Sequence, residues 1–202
     1  INAPAGFFGG QSDFYLKIEN LQKTGSFKVR GALNKMKTLT KEELARGVVC
    51  ASAGNHAQGV ALSAQMLGAK CIVVMPEGAP IYKIQATRSY GAEVILYGPT
   101  FDECNAYAIK LAEEKKAVFI APFDDPEVIA GQGTIGLEIM HDMPDCDAIL
   151  VPIGGGGLIS GVAAAAKAIN PKVKIIGVEP ENAACMRQAM HAGAICPLTS
   201  AI

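Results

Sequence analysis

Three short stretches set reactive residue types where a folded chain can use them. In "KTGSFKVRGA", residues 23–32, Lys28 falls just inside the start of a helix, since Val29, Leu33 and Met36 repeat at i, i+4 and i+7 behind Ser26. The positive end of the helix dipole and any desolvation disfavour an ammonium there, and a neutral amine suits a nucleophile that condenses with a carbonyl. Phe27 beside it could lie flat on an aromatic cofactor. For this segment alone, a lysine with a snorkelling stem beside a core phenylalanine is the better explanation.

The second stretch is a run of four glycines, Gly154, Gly155, Gly156 and Gly157, between the apolar run "AILVPI" and an alanine-rich helix ahead of residue 170. Stripped of side chains, backbone N–H groups at a helix N-terminus can close on an anion, and a phosphate fits. A flexible strand-to-helix turn is the plainer alternative, but four glycines carry an entropic cost that asks for a reason, which favours phosphate. The G-x-G-x-x-G register fails, because the third glycine falls on Ile159 or Ser160, and no Walker lysine follows. Glu179, ending "KIIGVE", stands roughly where a ribose-binding acid would, so a dinucleotide stays open.

The third stretch is "CASAGNHAQG", residues 50–59. Ser52, Gly54, Asn55 and His56 follow the strand-like "GVVCA", at the end of a strand where ligands collect in open α/β sheets. Ser52 and the N–H groups of a loop opening a helix can hold a carboxylate, and the Asn55 amide can donate to a ring oxygen. Capping alone could explain Ser52 or Asn55.

These residues need elements to hold them. Strand-like runs occur at "DFYLKIE" (13), "GVVCAS" (47), "KCIVVMP" (70), "AEVILYG" (92), "AVFIAP" (117), "DAILVPIG" (147) and "KVKIIGVEP" (172). Between them lie helical patterns: the one after Ser26, "KEELAR" behind Thr40, "NHAQGVALSAQML" and "FDECNAYAIKLAEEKK". Such alternation predicts an α/β fold of mostly parallel sheets covered by helices. "PFDDPEV", residues 122–128, is the strongest punctuation, and its Asp124 and Asp125 read as turn residues rather than ligands.

Composition narrows the partners. The 202 residues are half hydrophobic, with a formal charge of −1 and no basic or acidic block, so neither nucleic acid nor an acidic membrane is expected and a small molecule is. The six cysteines are scattered without a C-x-x-C pair, as reduced thiols of a cytoplasmic protein would be. No apolar run reaches membrane-spanning length, and "INAPAGFFGG" lacks the succession of a signal peptide.

Taken in order, "ENLQKTGSFKVRGA", "SAGNHAQGVA", "GQGTIGLEI" and "VPIGGGGLISG" resemble the threonine/serine dehydratase group of fold type II pyridoxal-phosphate enzymes, with similarity from about Tyr15 to about Met186. The resemblance implies two lobes, a smaller one over 41–122 and a larger one from 1–40 and 123–202, with pyridoxal 5'-phosphate in the cleft between them. It makes Lys28 the lysine that bonds to the cofactor aldehyde and removes the Cα proton, with Phe27 packed on the ring and Asn55 on the ring hydroxyl. Gly154, Gly155, Gly156, Gly157 and Leu158 would hold the phosphate. Ser52, Ala53, Gly54, Asn55 and His56 would hold the substrate, its carboxylate on Ser52 and the backbone of Asn55 and His56.

The expected reaction is loss of water from L-threonine or L-serine, giving 2-oxobutanoate or pyruvate and ammonia, in a cytoplasmic homo-oligomer of two or four copies. Isoleucine biosynthesis is one setting for such an enzyme. "SAGNHAQG" differs from the "TSGNTG"-like string of β-replacing relatives, which favours elimination. Serine racemases are similar too, but their second base is a serine where Ala53 stands. Their metal site also matches only in part: Glu179 and the Ala183 carbonyl agree, while the second carboxylate position holds Cys185, a poor ligand for a hard cation, so no metal is assigned. The family's C-terminal glycine-rich stretch, with its hydroxyl for the pyridine nitrogen, has no counterpart before Ile202, so a partial chain is expected. Alternatives are a serine racemase with dehydratase side activity, an inactive fragment that binds a phosphorylated ligand, and, remotely, a nicotinamide enzyme using Glu179.

Overall fold

A computed structural model describes residue 1 and residues 13–196. Most of "INAPAGFFGG" and the end of the expected larger lobe, 197–202, lie outside the described residues. Four parallel strands, β1 (Val48–Ala51), β2 (Cys71–Met75), β3 (Glu93–Leu96) and β4 (Val118–Phe119), form one sheet in the order β3-β2-β1-β4. A second, two-stranded parallel sheet pairs β5 (Ala148–Pro152) with β6 (Lys174–Val178), Ala148 opposite Lys174. The helices are α1 (Lys28–Lys37), α2 (Lys41–Arg46), α3 (Asn55–Leu67), α4 (Ile81–Ser89), α5 (Phe101–Lys115), α6 (Pro126–Asp142), α7 (Gly157–Ile169) and α8 (Cys185–Ala192).

Strand alternation divides the first sheet between two cores. Val48, Cys50, Val73 and Met75 face Ala57, Val60, Ala61 and Ala64 of α3. Val49, Ala51 and Val74 face Cys104, Ala108, Leu111 and Ala112 of α5. Covered on both faces, β1 buries all four residues, which is why its run is continuously apolar. The second sheet is different: β6 leaves Ile176 and Val178 exposed.

The helix starts are chemically marked. Thr40 and Thr100 form capping boxes with Glu43 and Glu103, and Asp125 accepts the N–H groups of Glu127 and Val128 ahead of α6, with Pro126 at the first helical position. Asp125 is therefore the turn residue its context suggested.

Two expectations change. "DFYLKIE" is not a strand: Tyr15 makes a single bridge, and two 3₁₀ turns, Glu19–Leu21 and Lys23–Gly25, follow. Tyr15 and Leu16 stay exposed, and Leu16 exchanges backbone hydrogen bonds with Ile1, a pairing that is not extended into a strand among the described residues. "AVFIAP" pairs only at Val118 and Phe119; Ile120 N still reaches Val49 O, and Pro122 then removes a donor.

Candidate active site

Lys28 opens α1. Ser26, in extended conformation just ahead of the helix, accepts the Lys28 backbone N–H at 3.4 Å. The side chain turns inward, where Nζ donates to Pro122 O at 2.5 Å and stands 5.5 Å from the centre of the Phe27 ring. Burial lowers the amine from its ordinary value to about 8. The sign is the one a nucleophilic lysine needs, and desolvation is the cause.

The glycine turn faces it. Gly156 adopts φ +86°, a left-handed conformation that favours glycine, and α7 begins at the next residue. A Cβ on Gly155 would run into the Phe123 ring, and one on Gly157 would stand 2.7 Å from Phe123 O, whereas one on Gly154 would meet nothing. Three of the four glycines are thus demanded by geometry. Phe27, Lys28, Gly154, Gly155, Gly156, Gly157 and Leu158 line one cavity of about 260 Å³, together with Pro122, Phe123, Gln132, Pro152 and Ile153.

Residues 52–56 do not line that cavity. Ser52 Oγ accepts the Gly54 N–H at 3.0 Å, Ala53 packs against the core under α3, and Asn55 is exposed at the first position of α3. The His56 ring is buried and donates Nε2–H to Ile120 O at 2.9 Å. Burial, with a further push from Lys28, holds it down to about 4, so it is neutral. Its helix nevertheless leans on the lysine: a Cβ on Gly59 would stand 3.0 Å from Lys28 C and from Val29 N.

That contact is one of three glycine crossings that set the geometry. Between α1 and α6, a Cβ on Gly131 would come within 2.6 Å of Arg30 O and Gly31 Cα. Between α6 and α7, one on Gly136 would come within 2.8 Å of Val162 O, and one on Gly161 would strike the backbone of Ile129 and Gly133. With backbones this close, the lysine at the head of α1 and the N-terminal end of α7 are brought to one cavity. Polar ties keep α1 on α6: Arg30 pairs with Glu19 at 2.8 Å and Glu138 at 2.6 Å, Lys35 with Asp125 at 2.7 Å, and Asn34 donates to Glu127 O at 2.8 Å.

Sequence reasoning misses Pro122, Phe123 and Gln132. The available signal was a lone amide among glycines in "GQGTIG", too bulky and polar for that helix face without a purpose. Glu179, kept open above for a dinucleotide ribose, caps α8, its two oxygens accepting Met186 N–H and Arg187 N–H at 2.9 Å each. No group of three or more His, Cys, Asp and Glu residues suited to a metal occurs among the described residues.

A partly buried amine and a bare helix N-terminus thus share one cavity within an α/β fold of parallel sheets. The chain belongs to the pyridoxal-phosphate dependent enzymes, a family that matches residues 3–201. It is 59% identical over 181 residues to an L-threonine ammonia-lyase of Thermotoga maritima, covering 90% of this chain and 45% of that protein. It is 55% identical over 185 residues to the catabolic L-threonine dehydratase of Escherichia coli K12, covering 92% and 56%. Among solved structures it resembles the processed form of threonine deaminase isoform 2 from Solanum lycopersicum (TM-score 0.91, 51% identity, 94% of this chain and 55% of that one). It also resembles maize serine racemase (TM-score 0.88, 42% identity, 91% and 56%). The chain spans about half the length of these relatives.

The residues present fit the cofactor. The glycine cradle would be filled by a Cβ, Lys28 is the side-chain amine on the wall, and Phe27 offers an apolar face beside it.

Proposed function

We propose that the protein is an ammonia-lyase that removes water from L-threonine, and from L-serine, to release 2-oxobutanoate or pyruvate with ammonia. The observation that carries this is Lys28: an amine held down to about 8 on the same wall as the glycine turn that opens α7. When bound, pyridoxal phosphate supplies an electron sink for the pair left by the broken Cα–H bond. The chain's own residues do the rest. Lys28 Nζ takes the Cα proton, for which it must be neutral, and burial lowers its value in that direction. The N–H groups of Gly154, Gly155, Gly156, Gly157 and Leu158 hold the phosphate, Phe27 covers the ring, and Asn55 donates to its hydroxyl. Ser52, Ala53, Gly54, Asn55 and His56 form the substrate loop, which reaches the cleft by closing over it.

The lobes of this proposal are 41–122, built around the β1–β4 sheet, and 1–40 with 123–202. Its support is that Phe27 packs into the core of α6, α7 and β5 rather than under α3. A cytoplasmic homo-oligomer completes the proposal; all six cysteines are free thiols, in keeping with a reducing compartment. Relatives named as catabolic favour threonine breakdown over isoleucine biosynthesis as the setting.

Serine racemisation is the second reading, favoured by the likeness to the maize enzyme. Ala53, with a methyl packed against core and no proton to give, argues for elimination instead. Borohydride reduction with cofactor, followed by peptide mapping, is expected to leave a pyridoxyl group on Lys28. An adduct elsewhere overturns the proposal, and D-serine formed as fast as pyruvate replaces it with the racemase.

A further inference from the structure

Gln132 is 1% exposed on α6, and its Oε1 is buried without a hydrogen-bond partner. The amide is pressed on α1 one turn beyond Lys28, since a Cβ at Gly31 would collide with Nε2 and stand 2.9 Å from Cδ. Only glycine there lets the amide in. Gln132 also lines the cavity that Lys28 and the glycine turn share. A buried carbonyl oxygen left without a donor is costly, so its retention points to a donor that can reach it across the cavity.

The lining narrows that donor. The other wall side chains, Phe27, Pro122, Phe123, Pro152, Ile153 and Leu158, carry no N–H or O–H, which leaves Lys28 as the other side-chain donor on the wall. A neutral amine has two N–H bonds, and Pro122 O takes one. We propose that Gln132 is a positioning residue for Lys28: its Oε1 takes the second N–H when the amine turns into the cavity. With both N–H bonds held, the nitrogen lone pair is left in one direction and cannot rotate away from its target. The proposal rests on Lys28 being the amine that bonds the cofactor, as read above. The titratable group that senses the Lys28 charge is His56, which is neutral and adds no charge that changes with Gln132.

The test is the pH dependence of Lys28 acylation by acetic anhydride in cofactor-free protein, quantified by peptide mass, with Tm measured alongside. Gln132→Leu is expected to keep or raise Tm while lowering the apparent value of Lys28 by roughly half a unit to one unit. Gln132→Met serves in its place should the leucine variant not fold. Gln132→Glu is expected to raise it by about 1–3 units. A Lys28 profile unchanged in these variants overturns the proposal. So does loss of inorganic phosphate binding in Gln132→Leu with the amine unaffected, which would assign the amide to the anion. Because no cofactor is used, this outcome is separate from the borohydride result, which bears on the function alone.

Discussion

Val48 and Cys50 bury side chains under α3, and Val49 and Ala51 bury theirs under α5, whereas α1, α6 and α7 meet where side chains are missing. The first arrangement gains from apolar surface removed from water and tolerates small changes in volume. The second gains from backbone approach and tolerates none. The cavity of about 260 Å³ sits on the second, because the lysine at the head of α1 and the N-terminus of α7 can share it only if their helices nearly touch.

Substitutions can break this contrast. Gly161→Ala drives a methyl into the backbone of Ile129 and Gly133, and is expected to cost about 3 kcal/mol or more in urea unfolding, with activity lost as α7 shifts. Gly154→Ala, which meets nothing, should stay within about 0.5 kcal/mol of the parent. Equal effects for the two would show that the crossings do not set the geometry.

His56 joins the two regions through Ile120 O and sharpens the comparison by pH. Its folded value, about 4, lies below the ordinary 6.5, so between these limits the unfolded chain binds the extra proton. Stability is therefore lost as pH falls from 6.5 towards 4, by on the order of 2–3 kcal/mol. His56→Gln should flatten that window in urea titrations; an unchanged slope would place the proton elsewhere. Val73→Ala, in the side-chain-packed sheet, should cost about 2 kcal/mol while leaving the acylation profile of Lys28 intact. Smaller than these losses is Thr100→Ala, which removes a capping box and should cost ~1 kcal/mol with full activity.

What was legible in the chain follows the same division. Side-chain packing writes itself into periodicity, so β1, β2, β3, β5, β6, α3 and α5 could be read; Lys28, Phe27 and the glycine turn, which share one cavity, were singled out by residue type and by the family resemblance instead. Backbone packing does not. Gly131, Gly133 and Gly136 make α6 look like a poor helix, and only the tertiary contacts they permit explain it. Pro122 carried no signal, and the lone amide of Gln132 could not be interpreted, because their placement on the cavity wall depends on which helix lies opposite. "DFYLKIE" shows the converse error, a strand-like composition with no neighbouring strand to pair with among the described residues.

The segment leaving β4 offers two carbonyls in close succession, Ile120 O to the imidazole of α3 and Pro122 O to the amine of α1. The four-stranded sheet cannot tilt against α1 without stretching both. Any hinge motion of that sheet is therefore felt at the reactive nitrogen through three residues of main chain.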